Sequence, residues 1–204
     1  HARKLLPADF YPYYLSTYVE HDVRQMKHIG NFLLFQKFLK LCAGRVGQLL
    51  NFSHLARDCG ISLATAQQWM DLLVATYLVF LLPPFFENFN KRVIKMPKLY
   101  FYDTGLLCHL LGIHHLTHLE VHPLRGPLFE NALILECLKE RVGRNFPPGL
   151  SFWRDQKGYE VDLLAQWGGG LYAVELKSGG TFQPEFIQNV RYFCGLAPQA
   201  QPYL

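Results

Sequence analysis

The 204-residue chain contains no G-x-x-x-x-G-K-[S/T] string, so ATP is not expected to bind within it. Its five cysteines (Cys42, Cys59, Cys108, Cys137 and Cys194) form no C-x-x-C pair, and most sit among apolar neighbours. That excludes a disulfide framework and reads as reduced, buried thiols of a cytoplasmic protein. Long apolar runs are lacking too: the longest, residues 72–86, is broken by Pro83 and Pro84 and is too short to span a bilayer, so no membrane partner is expected. No signal-peptide pattern, internal repeat or low-complexity tract is visible. Charge is sparse, at 18% Asp, Glu, Lys and Arg, and unevenly placed. Residues 1–120 carry 12 Lys and Arg against 8 Asp and Glu, whereas residues 121–204 carry 8 against 8. This mild basic excess permits contact with DNA without requiring it.

What is present is half apolar and rich in Phe and Tyr, the composition of an ordered protein of one or two domains. An aromatic stretch over 5–31 and a second one over 32–43 predict amphipathic helices, the second ended by Gly44 and Gly47. In 51–82, Ser53 and Ser62 are expected to cap two short helices around a Cys59-Gly60-Ile61 turn, with Ala66, Trp69, Met70 and Leu73 inward. A strand over 77–82 and a polar hairpin near 88–92 complete a winged-helix-like pattern. The outward side of its second helix has neither Arg nor Lys, unlike most helices that read the major groove. Lys91, Arg92, Lys95 and Lys98 are the candidate nucleic-acid contacts, toward the phosphate backbone. Asp103 is expected to cap a helix over 105–111. His109, His114, His115, His118 and His122 lack a cysteine-histidine framework and read as a connecting loop, not a zinc site. This loop separates the expected domains, 1–120 and 121–204.

The second half predicts the order helix (124–142), strand (151–154), strand (158–166), strand (171–177) and helix (184–195). Three carboxylates and a lysine are set into these apolar segments: Glu130, Asp162, Glu175 and Lys177. Acidic groups in such surroundings are costly unless paired or bound to a cation. Glu130 shares a helical stripe with Ile134 and Cys137, so it should face the sheet. If Gly168-Gly169 is a two-residue hairpin turn, Asp162 lies directly opposite Glu175; a Gly169-Gly170 turn places Lys177 there instead. Both registers keep Asp162, Glu175 and Lys177 on one face, whereas a three-residue loop would put Asp162 on the opposite one. Facing carboxylates repel, and Mg²⁺ or Mn²⁺ would resolve the repulsion using Glu130, Asp162, Glu175 and the Leu176 carbonyl. Lys177 could then orient a water and neutralise charge on a phosphodiester.

The order Glu130, Asp162, Glu175-x-Lys177 resembles the PD-(D/E)XK nuclease superfamily. More broadly, the chain resembles the C-terminal region of uncharacterised prokaryotic AAA+-type ATP-binding proteins. The similarity rests on residues 14–24 (YLSTYVEHDVR), Asn90-Lys91-Arg92, residues 97–105 (PKLYFYDTG), Gly126-Pro127-Leu128-Phe129-Glu130-Asn131, Tyr159-Glu160-Val161-Asp162 and Val174-Glu175-Leu176-Lys177. The resemblance implies a mixed α/β (α+β) fold: a helical, winged-helix-like first part, then an α-β-β-β-α restriction-endonuclease-like domain. It also implies an ATPase domain ahead of this region, so the chain is expected to be a fragment, or a remnant gene product, lacking that domain, with the last strand of the nuclease-like sheet near or beyond residue 204. The implied activity is Mg²⁺-dependent DNA cleavage. The alternative is a catalytically silent DNA- or protein-binding module that docks on or regulates the ATPase domain; a homo-oligomer is compatible with either reading.

Overall fold

The computed structural model describes residues 7–18, 31–86, 94–181 and 183–204. These contain eight α-helices and six strands in two sheets, an α+β architecture. The chain forms two compact units and passes between them more than once. No described helix is long and apolar enough to cross a membrane.

The first unit comprises His1–Arg45, Asn51–Leu78 and Asp103–His122. Its helices are α1 (Pro7–Tyr18), α2 (Phe32–Ala43), α3 (Phe52–Cys59), α4 (Leu63–Ala75), α5 (Thr104–Leu110) and α6 (Leu116–Val121). Short polar residues begin most of them, as N-cap chemistry requires. Asn31, Asn51, Ser62 and Asp103 each accept a hydrogen bond from the amide two or three residues into the helix. Asn51, not Ser53, caps α3, because the helix starts one residue before the serine. Gly60 ends α3 at φ +82°, a left-handed position that favours glycine, and this makes the expected turn into α4. Ala66, Trp69, Met70 and Leu73 of α4 are buried as their spacing predicts, with Phe35 and Phe38 edge-on to Trp69. The histidine-rich stretch read as a loop contains the six-residue helix α6. The predicted first helix is described only over α1; its continuation to residue 31, and the hairpin near 88–92, lie outside the described residues.

The second unit gathers Val46–Leu50, Val79–Tyr102 and Pro123–Leu204. β1 (Val79–Leu82) pairs antiparallel with β2 (Lys98–Phe101), and Leu49 bridges to Lys98 on the other side of β2. The larger sheet has the order β3 (Leu150–Arg154), β4 (Glu160–Trp167), β5 (Gly170–Val174), β6 (Ala200–Tyr203). β3, β4 and β5 run antiparallel, and β6 lies parallel to β5 after the helix α8 (Gln188–Leu196). Parallel pairing requires such a crossover. α8 packs on β4, β5 and β6 through Val190 and Phe193, which join Trp153, Val161, Leu164 and Ala173 in a closed apolar cluster.

The long helix α7 (Arg125–Gly143) precedes β3, and its Asn131 side chain clasps the edge of β2. Asn131 is fully buried; its Oδ1 accepts the Phe101 amide at 2.7 Å and its Nδ2 donates to the Phe101 carbonyl at 3.1 Å. The amide therefore behaves as one more residue of the sheet edge. Asn131→Leu strands both backbone groups of Phe101 in a dry site and is expected to cost about 2–4 kcal/mol in urea unfolding. Asn51→Ala, which removes only a cap, should cost about 1 kcal/mol.

Candidate functional site

The β4–β5 hairpin sets the geometry. Trp167 pairs with Gly170 across a two-residue turn in which Gly168 and Gly169 have φ +55° and +83°. This is the Gly168-Gly169 register, with both central residues left-handed as a type I′ turn demands. The last paired residues are Leu163 and Val174, so Asp162 and Glu175 follow as the next opposed positions. There the ladder changes. The Leu176 amide donates to Asp162 Oδ2 at 2.9 Å, and the Glu175 amide donates to the Tyr203 carbonyl at 3.1 Å. A side-chain carboxylate thus takes the place of a strand carbonyl, and β5 stops at Val174 instead of running to Lys177 as predicted.

Asp162 and Glu175 are both buried, Glu175 being only 4% exposed. Lys177 Nζ lies 2.5 Å from Glu175 Oε1 and 3.8 Å from Asp162 Oδ2, so the three predicted residues do come together. Glu175 Oε2 is buried and has no hydrogen-bond partner among the described residues.

Glu130 enters the same acidic cluster from α7 but is held by different groups. Its Oε1 accepts from Lys98 Nζ at 3.0 Å and from the Tyr100 hydroxyl. Lys98 Nζ also contacts Glu160 Oε1 at 2.5 Å, and Arg154 NH1 lies 3.0 Å from Glu160 Oε2. Lys98 was expected at the surface as a phosphate contact, but it is 2% exposed and points inward. Cys137, expected on the buried stripe of α7 with Glu130, is exposed instead, because the stripe is centred on Leu128, Asn131, Ile134, Leu138 and Arg141.

Tyr100 and Glu160 were not singled out in the sequence. Their signal was strand parity: Lys98 and Tyr100 are two apart on β2, and Glu160 and Asp162 two apart on β4. Of the other nucleic-acid candidates, Lys95 is exposed, while Lys91 and Arg92 lie outside the described residues.

Burial and crowding decide the charges. Desolvation raises Glu175 to about 7, helped by the Asp162 charge and opposed by Lys177. Glu130 is also raised, first by burial, with Lys98 opposing and Asp162 adding to it. Burial alone would lower the pKa of Lys98, yet Glu130 and Glu160 more than offset it and the net shift is upward. Lys177 is raised in the same way, by Glu175 and Asp162 against desolvation. Both lysines are therefore cationic at neutral pH. Among the described residues no three His, Cys, Asp or Glu side chains converge as a metal-binding set, and the histidines of 109–122 form none. The donor set a cation would find here is the Asp162–Glu175 pair, with its one unpartnered oxygen.

The class defined by this geometry is an α+β protein with a lysine-countered carboxylate cluster at the end of a β-hairpin. Residues 2–117 match the model of a family described as a domain of unknown function, DUF8612; this is over half the chain, and the chain belongs to that family. Residues 125–204 match a second domain of unknown function, DUF4143. Two curated relatives, the uncharacterized protein Mb2031c of Mycobacterium bovis and the uncharacterized protein Rv2008c of Mycobacterium tuberculosis, are each 33% identical over 178 residues. The match covers 87% of this chain but 39% of each relative, so the chain spans about two fifths of their length. No solved structure matches it.

Because the folded pKa of Glu175 lies above its ordinary 4.5, its protonated form favours folding below about pH 4.5, and that contribution is lost as the pH rises through about 7. Glu175→Gln removes the penalty of ionisation. In metal-free buffer it should raise Tm by about 2–4 °C at pH 8 and leave it nearly unchanged at pH 4, as read by thermal melts.

Proposed function

We propose that the second unit is a PD-(D/E)XK-like, metal-dependent phosphodiester hydrolase acting on DNA. The observation that carries this reading is the Asp162–Glu175–Lys177 cluster, in which a buried carboxylate oxygen of Glu175 lacks any partner. Two carboxylates suit Mg²⁺ or Mn²⁺, which otherwise keep water or take phosphate oxygens. Asp162, Glu175 and the Leu176 carbonyl would hold the ion, and it would supply Lewis-acid stabilisation of charge on the phosphodiester. The chain's own groups do the rest. The Leu176 amide fixes the orientation of Asp162. Lys177, which lies against Glu175 and near Asp162, would orient or activate the attacking water and neutralise developing phosphate charge. Glu130, held by Lys98 and Tyr100, would lie outside this ion's ligands. Lys95, with Lys91 and Arg92, is proposed to meet the DNA backbone from a winged-helix-like region.

The second reading is a catalytically silent module that docks on DNA or on an ATPase domain ahead of this segment. It is favoured by the helix α4, whose outward residues Leu63, Ala64, Gln67, Gln68 and Asp71 offer no cation, and by the neutral balance of 121–204. The longer curated relatives leave room for such a domain. Isothermal calorimetry with Mn²⁺ on wild type and Asp162→Ala separates the readings. The hydrolase reading expects a loss of tenfold or more in affinity for the variant; equal binding, or none by either, sinks it. A plasmid-nicking assay should then lose about 10²–10³-fold with Lys177→Ala. Cleavage that ignores this substitution comes from a contaminant. Salt-steep DNA binding without cleavage would favour the docking module.

A further inference from the structure

We propose that Lys98 is a built-in cation standing where a second metal ion would otherwise be needed, so that the site takes one divalent ion per chain. This rests on the hydrolase reading and deepens it by fixing the stoichiometry of the site.

The acidic cluster comprises Glu130, Glu160, Asp162 and Glu175, and the structure divides it into two halves. On one side, Lys98 Nζ sits between Glu130 Oε1 at 3.0 Å and Glu160 Oε1 at 2.5 Å. Tyr100 adds its hydroxyl to Glu130, and Arg154 its guanidinium to Glu160. The remaining exposure of the Lys98 ammonium is closed by the Phe152 ring, whose centroid lies 5.4 Å away. On the other side, the one cation within ion-pair distance of Asp162 and Glu175 among the described residues is Lys177, whose side chain is 36% exposed, and one Glu175 oxygen has no hydrogen-bond partner among them.

The two lysines differ in their freedom. Lys177 lies past the end of β5 and has a path to solvent along which its ammonium can yield to an ion. Lys98 has none. Its strand is paired on one side, where Leu82 faces Lys98, and bridged by Leu49 on the other. The neighbouring Leu99 exchanges backbone hydrogen bonds with Gly47 and Gln48. The ammonium is therefore delivered to the Glu130–Glu160 pair by a backbone fixed on both edges. A fixed charge on the rigid side and an exchangeable one on the open side leave room for one ion, at Asp162 and Glu175.

The test is the Mn²⁺ stoichiometry of the folded chain by isothermal calorimetry, with thermal melts alongside, for wild type, Lys98→Met, Lys98→Arg and Glu130→Gln. Wild type and Lys98→Arg should bind one ion. Lys98→Met should bind two, with a lowered Tm that saturating Mn²⁺ raises by several degrees more than it raises wild type. Glu130→Gln should keep the count at one, with affinity within about threefold of wild type. Two ions in wild type, a count of one with no extra Mn²⁺ stabilisation in Lys98→Met, or a tenfold loss of affinity in Glu130→Gln would each overturn the proposal. If Lys98→Met does not fold, the wild-type count and Glu130→Gln decide it. Absence of any Mn²⁺ heat in wild type would instead remove the hydrolase reading and this inference with it.

Discussion

The ammonium of Lys98 is the constraint on which the second unit depends. Buried carboxylates are tolerated only with a countercharge and satisfied hydrogen bonds, and here one nitrogen serves Glu130 on α7 and Glu160 on β4 at once. It joins three elements that are far apart in sequence: β2, α7 and β4. The Asn131 clasp on Phe101 repeats the link between α7 and β2 three residues along the strand, using a neutral amide. One contact carries charge and the other carries backbone hydrogen bonds. Together they set the angle at which Glu130 meets the hairpin.

That arrangement gives the cluster an asymmetry that its composition does not suggest. Glu130 and Glu160 lie in a closed ionic network with Arg154 and Tyr100, while Asp162 and Glu175 end a hairpin and share a half-exposed lysine. Burial first, and then the Asp162 charge, raise Glu175 to about 7 against the opposing Lys177. Where a strand would normally continue its ladder to β4, Asp162 takes the Leu176 amide, and β5 ends at Val174. The chemical interest of the site and the end of β5 therefore have one cause.

Much of this was legible in the residues, for identifiable reasons. The run Gly168-Gly169-Gly170 marked the hairpin and confined a two-residue turn to two registers, both with Asp162 on the face of Glu175 and Lys177; the left-handed Gly168 and Gly169 select the first. Ser62, Gly60 and Asp103 were readable as helix ends from local chemistry. Other features were decided by packing. Lys98 looked like a surface cation because it stands near Lys91, Arg92 and Lys95, yet its alternation with Tyr100 assigns it the inward face. Cys137 follows Glu130 at helical spacing, but the centre of the buried stripe is fixed by what α7 meets, and that falls on Asn131. The α6 helix lies in a histidine-rich stretch without a side-chain cap, so nothing local marked its start.

The segments Val46–Leu50 and Val79–Tyr102 bear on how this protein can be cut apart. Both fall within the stretch matched by the first family model, yet they pack with the residues matched by the second. Truncation between 117 and 125, the gap between the two matches, would deliver a piece without Lys98, Tyr100 or the Phe101 edge. Its Glu130 would lose the Lys98 ammonium and the Tyr100 hydroxyl, and its Glu160 would lose Lys98 and keep Arg154. The boundaries of inheritance and of folding do not coincide in this chain, and substitutions on β2 are bound to those on α7 and β4 by shared charge.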